Sequence, residues 1–308
     1  MMHLTSGRWK LGMFLALLTS LMWGLLPVAL KGLLQYLDST TITWFRFIFA
    51  FLILFFYLVL KRDMPNVKNL NKNLIWLLLL TTICLLANYI LYMIGLEKST
   101  PESAQLMIQI APMLLLLGSL WLFKESFNQW QAIGLIGFIT GLVLFFNHRL
   151  SDLIDLDREY SFGIFLIFIA AIFWAVYALA QKQLLKHMSS IQIMMIIFAF
   201  GSLVFLPNSN PGVLWDLDFL GWLLLIFCGA NTVIAYGAFS ESLAHWEASR
   251  VSAVLAITPL FTLFFMHLTS FYFPDYIQTE SLNDLSIIGA VLVVVGSAGV
   301  ALIKSKKS

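Results

Sequence analysis

Apolar residues run along this chain in blocks of bilayer length, and polar residues fall in short clusters between them. A helix needs about 20 predominantly apolar residues to cross a hydrocarbon core. Read for such runs, the sequence predicts ten spans: 11–31, 41–60, 74–96, 103–123, 130–147, 161–182, 190–206, 219–240, 248–272 and 285–303. The punctuation is compact. Asp38-Ser39-Thr40 separates the first two spans, Glu97 to Glu102 the third and fourth, and Lys124 to Gln129 the fourth and fifth. Pro207 to Trp215 is rich in Pro, Asn, Gly and Ser, as a turn should be. The run Leu11 to Leu30 follows Arg8 and Lys10, as a signal peptide would. It is too long for an ordinary signal core, however, and Lys31-Gly32-Leu33-Leu34 offers no small-residue cleavage pattern, so a retained first helix is expected.

The same pattern is written twice. Glu125-Ser126-Phe127-Asn128 leads into Ile133-Gly134 and then Gly141, and Glu280-Ser281-Leu282-Asn283 leads into Ile288-Gly289 and then Gly296. In both copies the serine and asparagine suit the cap of the helix that follows, and the carboxylate suits its positive end; weaker echoes agree with this duplication. Trp23 and Lys31 match Trp174 and Lys182, Asn88 matches Asn231, and Ile110-Ala111-Pro112 matches Ile257-Thr258-Pro259. Five spans per half is an odd number, so a second half of the same pattern enters the bilayer from the opposite face. The expected architecture is all-α, ten transmembrane helices in two inverted five-helix repeats, 1–150 and 151–308. Inverted repeats recur in secondary transporters, which bind substrate where the repeats meet.

Composition changes the picture only by excluding soluble classes. The chain is 60% hydrophobic and 11% charged with mean hydropathy +0.90, whereas soluble domains carry about 25% charged residues. A net charge of +2 gives no reason to expect a nucleic-acid partner. Cys84 and Cys228 lie in apolar runs and read as buried small residues, not a disulfide or metal site. Lys and Arg between spans set orientation. Arg8, Lys10, Lys61, Arg62, Lys68, Lys72, Lys124, Lys182, Lys186, Arg250, Lys304, Lys306 and Lys307 fall on one side, and Lys31, Lys98, Arg149 and Arg158 on the other. Both termini are therefore expected in the cytoplasm.

A Trp-Gly in the first span, Arg46 in the second, a proline near the middle of the fourth and ninth, and the paired Glu125–Gly141 and Glu280–Gly296 segments together resemble the drug/metabolite transporter superfamily. Within it the resemblance is to the EamA-type ten-span permeases, and it covers the whole chain. What it implies is a bacterial inner-membrane exporter or exchanger of small metabolites, such as amino acids or related compounds. The implied mechanism is alternating access around a cavity between the halves. The seventh span departs from this pattern, with Ile197 where a counterpart of Arg46 would stand.

Candidate cavity residues follow from polar side chains that share a helical face. Trp23, Pro27 and Lys31 form one stripe, and Trp174, Ala178 and Lys182 its counterpart. The two lysines could attract a carboxylate-bearing substrate, or simply snorkel at helix ends. Asn88 with Tyr92, and Gln105 with Gln109, lie one turn apart; Asn231 and Ser252 are the second-half equivalents. Amides in hydrocarbon must face protein or a water-filled cavity, so these either line the cavity or bond neighbouring helices. Pro112 and Pro259 could act as hinges, and Gly134, Gly141, Gly289 and Gly296 suit close helix packing. Arg46 either serves a function, snorkels outward or pairs with Asp38. Glu241, His245, Glu247, Glu97 and Glu102 read as solvated loop residues, which leaves proton coupling without a carrier. No catalytic, metal or cofactor group is expected. The expected partners are a small-molecule substrate and the lipid bilayer, with the chain as monomer or homodimer. A non-transporting membrane sensor or structural protein, or an intramembrane enzyme, stands as the alternative.

Overall fold

The computed structural model describes residues 8–66, 71–123, 129–150, 155, 157–246, 248–274, 276–277, 279–280 and 282–302, with backbone alone at 116, 119–123, 182, 240, 243–244, 248–249 and 301. Among the described residues all regular structure is helical. In order the helices are α1 (Trp9–Leu33), α2 (Ser39–Lys61), α3 (Lys72–Glu97), α4 (Pro101–Ile108), α5 (Ile110–Phe123), α6 (Gln129–Phe145), α7 (Glu159–Leu184), α8 (Ser190–Phe205), α9 (Phe219–His245), α10 (Ala248–Leu255), α11 (Thr258–Tyr272) and α12 (Asp284–Leu302). Short 3₁₀ turns follow α6 at Asn147–Arg149 and link α8 to α9.

Among the described residues, seven segments are long and apolar enough to cross a membrane: Trp9–Leu33, Ser39–Lys61, Lys72–Glu97, Glu159–Gln181, Ser190–Asn208, Phe219–Phe239 and Arg250–Tyr272. Gln129–Phe145 and Asp284–Val300 are shorter apolar helices. The predicted fourth span is split. α4 ends at Gln109, whose backbone N–H donates to the Leu106 carbonyl at 3.2 Å, and α5 starts afresh. The ninth behaves alike: Ile257 N–H donates to Val254 O at 3.2 Å between α10 and α11. Pro112 and Pro259 each fall in the first turn of the second piece. A proline has no N–H to give, so it is tolerated there and disruptive further in.

Other helix starts obey local chemistry. The Asp38 carboxylate accepts from Thr40 N–H and Thr41 N–H, both at 2.9 Å. Asn71, Asp218 and Asn283 each accept from a backbone N–H three residues on. Ser189 and Gln192 form a reciprocal capping box at the start of α8. Such caps satisfy N–H groups that a helix leaves without a carbonyl.

The helices pack chiefly across the chain's midpoint. α1 lies against α9, α3 against α7, α2 against α8 and α6 against α12. α1 also meets α11, and α5 meets α7. Exchanging each helix of residues 1–150 for its counterpart by sequence leaves this set of pairings unchanged. Both main apolar clusters draw on both halves: Phe47, Leu85 and Tyr89 pack with Tyr177, Ile193 and Phe198 in one of them. Neither half encloses a core of its own. Large apolar side chains on the outside stay exposed, among them Phe14, Phe56, Trp76, Ile136 and Leu203. In water such a surface would aggregate; in a bilayer it is the solvated face.

α6 packs on α12 backbone to backbone. A Cβ added at Gly141 would lie 2.6 Å from Val293 N and 2.7 Å from Gly289 O, and one at Gly296 would lie 2.6 Å from Gly134 O. The two backbones touch along this row, which only glycine permits.

Candidate functional site

Polar side chains gather in two places, one at an end of the bundle and one inside it. At the end, the connections that follow α1, α3, α6 and α11 converge. The Lys31 ammonium donates to the carbonyls of Leu96 (2.9 Å), Glu97 (2.6 Å) and Ser99 (2.6 Å), closing the C-terminal end of α3. Cations suit that negative end of a helix. Ser39 donates to the Glu97 carboxylate at 2.6 Å, and Lys98 pairs with Glu159 at 3.2 Å. Lys31, Glu97, Lys98, Ser99 and Glu159, with Thr100, Arg149 and Tyr160, border an open cavity of about 500 Å³.

Glu280 is the hub of this end. One carboxylate oxygen takes Arg149 Nε at 2.7 Å, and the other accepts from Ser103 Oγ (2.6 Å), Thr100 Oγ1 (3.0 Å) and Tyr160 OH (3.0 Å). The Arg149 guanidinium also lies 4.1 Å above the Tyr160 ring. The Glu280 side chain is only 6% exposed, and a carboxylate withdrawn from water needs this many donors. The sequence reading assigned Glu280 to the positive end of the last helix. The structure corrects that, because Asn283 holds the cap and Glu280 turns away to Arg149.

Glu102 beside it overturns a second expectation. Glu97 is exposed as a solvated loop residue should be, but Glu102 is 3% exposed. One Glu102 oxygen accepts Glu280 N–H at 3.3 Å; the other is buried with no hydrogen-bond partner among the described residues. Burial holds the Glu102 carboxyl well above the usual carboxylate range, up to about 7, and the negative charge of Glu280 adds to the effect. Glu241 pairs with His245 at 3.0 Å near the other end of the bundle. Glu247 lies outside the described residues, as do Glu125 to Asn128.

Inside the bundle the central group is Arg46. It is 4% exposed, its Nε donates to Thr232 Oγ1 at 3.1 Å, and its guanidinium stands 4.9 Å over the Tyr89 ring. Thr232 itself donates to Cys228 O at 2.9 Å, which turns its oxygen lone pairs toward the arginine. The alternatives of snorkelling and of pairing with Asp38 both fail. The side chain is buried, Asp38 is occupied as the α2 cap, and no described carboxylate pairs with Arg46.

Aromatic side chains continue from the Tyr89 ring beside Arg46. Tyr236 neighbours the Tyr89 hydroxyl, and its ring meets Trp23 edge-on at 5.3 Å. Tyr177 lies close to both Tyr89 and Tyr236 and packs on Trp174 at 6.3 Å. Tyr92 and Tyr236 sit deep in the bundle yet are only half-buried, as are Trp23 and Trp174. The two tryptophans singled out in sequence thus end one aromatic run, with Arg46 beside its middle.

The other sequence candidates fare differently. The Asn88 amide donates to Ala170 O at 2.9 Å, tying α3 to α7, and the Asn231 amide donates to Met22 O at 2.7 Å, tying α9 to α1. Both act in this structure as bonds between helices. Gln105 is buried in the last turn of α4 and Gln109 at the break after it. Lys31 spends its donors on carbonyls, Ser252 is exposed on α10, and the Lys182 side chain lies outside the described residues. Sequence reading missed Tyr89, Tyr177, Tyr236 and Thr232, and at the bundle end Arg149, Tyr160, Thr100 and Ser103. One signal was present: tyrosines inside apolar runs carry hydroxyls that need partners.

A model of the EamA-like transporter family matches residues 10–147 and again residues 161–302. The chain is 36% identical over 289 residues to an uncharacterized inner membrane transporter, YhbE, of Escherichia coli (strain K12), covering 93% of this chain and 90% of that one. It is 34% identical over 287 residues to an uncharacterized transporter of Haemophilus influenzae, covering 93% of each. An uncharacterized transporter of Bacillus subtilis, YyaM, is 23% identical over 263 residues, 84% of this chain and 82% of its own. One solved structure, described only as the crystal structure of a protein, superposes with a TM-score of 0.65 at 16% identity, over 96% of this chain and 99% of that one. That likeness concerns the fold alone. The names of the family and of these relatives speak of transport and not of catalysis.

Proposed function

The chain belongs to the EamA-like transporter family and is a multi-pass membrane protein; on that premise we propose that it is a secondary carrier of the bacterial inner membrane. It exports or exchanges small metabolites, such as amino acids or related compounds, by alternating access. Ten crossings form two inverted five-helix halves, 1–150 and 151–308, with both termini in the cytoplasm. α4–α5 together make the fourth crossing and α10–α11 the ninth, and Pro112 and Pro259 start the second segment of each, where a hinge would act.

The observation that carries this reading is a cluster of one arginine, hydroxyls and aromatic rings built inside the bundle from helices of both halves, with a polar lock at one end that also joins both halves. Trp23, Arg46, Tyr89 and Tyr92 come from the first half, and Trp174, Tyr177, Thr232 and Tyr236 from the second. The lock is Arg149 on Glu280, with Thr100, Ser103 and Tyr160. The grouping of ends gives further support. Lys31, Ser99, Arg149, Tyr160 and Glu280 meet at one end. At another, Asp63 accepts from the Gln192 amide at 3.0 Å. Such a separation of connections between ends supports consecutive crossings. Two related halves sharing every main helix contact also supply two nearly equivalent packings, one open to each side.

The test is counterflow. The full chain is reconstituted in proteoliposomes preloaded with unlabelled solute, and uptake of labelled amino acids and related metabolites is followed. Saturable counterflow of at least one solute is expected. Trp23→Ala and Gln109→Leu should lose transport while the protein still elutes as a folded monomer or dimer. Folded wild-type protein without saturable flux for any solute class would overturn the carrier reading.

A further inference from the structure

The geometry points to Arg46 as the recognition site for a carboxylate, and so to a substrate that carries one carboxylate on a compact apolar or aromatic body. The Arg46 guanidinium is short of partners. It has five N–H donors in a planar fork. Nε is used by Thr232, one face is covered by Tyr89, and neither Nη group donates to a described residue. No described carboxylate pairs with it.

A charge kept inside a membrane protein without a counter-charge is a functional group by default. A structural arginine of this kind would be satisfied by an acid from a neighbouring helix. The acids that could have served are committed elsewhere: Asp38 to the α2 cap, Glu97 to Ser39, Glu280 to Arg149. Lys31, the other buried-side cation of the first half, is consumed by three carbonyls. Arg46 is therefore a cation buried inside the bundle with donors to spare. Two Nη groups side by side match the two oxygens of a carboxylate.

The walls say what the rest of the ligand is. Tyr89 lays its ring against the guanidinium, Tyr92 and Tyr236 lie close enough to feel its charge, and Trp23 packs edge-on against Tyr236. Such walls favour an apolar or aromatic body over a polyhydroxylated one, and the single arginine matches one negative charge. An α-ammonium group is compatible with them, because tyrosine and tryptophan faces hold cations. A second carboxylate is not, since nothing described nearby would balance it.

The substrate assignment rests on the carrier reading, but the binding site does not, and the experiment separates them. Full-length protein in detergent is titrated with benzoate, benzamide, benzylamine, L-phenylalanine and L-phenylalaninamide, with ligand-induced thermal stabilisation as readout. Benzoate and phenylalanine should stabilise the wild type, with the amides and benzylamine at least tenfold weaker. Arg46→Gln should lose that preference. Arg46→Lys, which keeps the charge without the fork, should retain part of it and serves where the glutamine variant does not fold. Amides that bind as well as acids, a wild type that binds neither acid, or an unchanged preference in either variant overturns the inference. Saturable counterflow of uncharged solutes alone, indifferent to Arg46, leaves the carrier standing without this site. Acid binding with no flux of any solute leaves the site standing without the carrier.

Discussion

Replacing Gly141 by alanine places a methyl group 2.6 Å from Val293 N and 2.7 Å from Gly289 O. Ordinary contact begins at 3.4 Å, so α6 and α12 must separate by about 0.8 Å to admit it. Neither obstacle is a side-chain tip that can swing aside; both are helix backbone. Gly137, one turn earlier on the same helix, is the control, because its added Cβ would find Gly296 Cα at 4.0 Å and nothing nearer. Overpacking costs roughly 1–3 kcal/mol, and obstacles that are backbone on both sides put this case at about 2–3 kcal/mol of that range; alanine recovers about 1 kcal/mol of helix propensity over glycine. Gly141→Ala should therefore destabilise by about 1–2 kcal/mol, while Gly137→Ala is neutral or mildly stabilising. The measurement is thermal unfolding in detergent, followed by tryptophan fluorescence with both variants scanned at one rate. An apparent Tm lowered by about 3–6 °C for Gly141→Ala, and not for Gly137→Ala, is expected. Equal Tm values for the two variants would refute the claim that these backbones touch.

Arg149→Met strands the Glu280 carboxylate on hydroxyl donors alone. Because Arg149 is itself about a third exposed, the loss should be about 2–4 kcal/mol, under the range for a fully buried pair. Adding Glu280→Gln should restore most of it, and a double variant as unstable as the single one speaks against the pair. Glu102 binds its proton more tightly folded than unfolded. Its contribution to stability is thus complete below about pH 4.5 and disappears as pH rises to about 7. Glu102→Gln should flatten the fall in apparent Tm across that window, and an unchanged profile would contradict the buried carboxyl. Asp38→Ala removes the α2 cap and should cost about 0.5–2 kcal/mol, while Asp38→Asn should cost little in the same thermal scan.

Lock and interior site stand in a simple relation. Arg149, at the end of the first half, and Glu280, in the approach to the last helix, cannot both hold their positions if the halves rock apart at that end. The exposed rim of the roughly 500 Å³ cavity already lies beside them. Opening there would have to break the Glu280 contacts to Arg149, Ser103, Thr100 and Tyr160. Pro112 in the first turn of α5 and Pro259 in that of α11 stand at breaks where the helix bonds are already interrupted.

What the sequence determined by itself was everything that short-range rules control. Apolar runs of bilayer length must satisfy their backbone internally, so helices and their approximate ends could be read directly. The family was legible from the duplicated segments, and Asn283 was legible as a cap because its partner, Ser286, lies three residues away. The fourth and ninth runs were read as continuous, because their breaks depend on local backbone geometry that hydropathy does not register. Tertiary structure alone decided which polar groups meet. Arg46 finds Thr232 across 186 residues, and Asn88 finds Ala170 across 82. Glu280 reaches back to Arg149 from the other half, where the sequence suggested only a helix end. In hydrocarbon a polar side chain takes whatever partner the packing of helices brings to it. Pattern along the chain tells that a partner is needed; the crossing of distant helices tells which one it is.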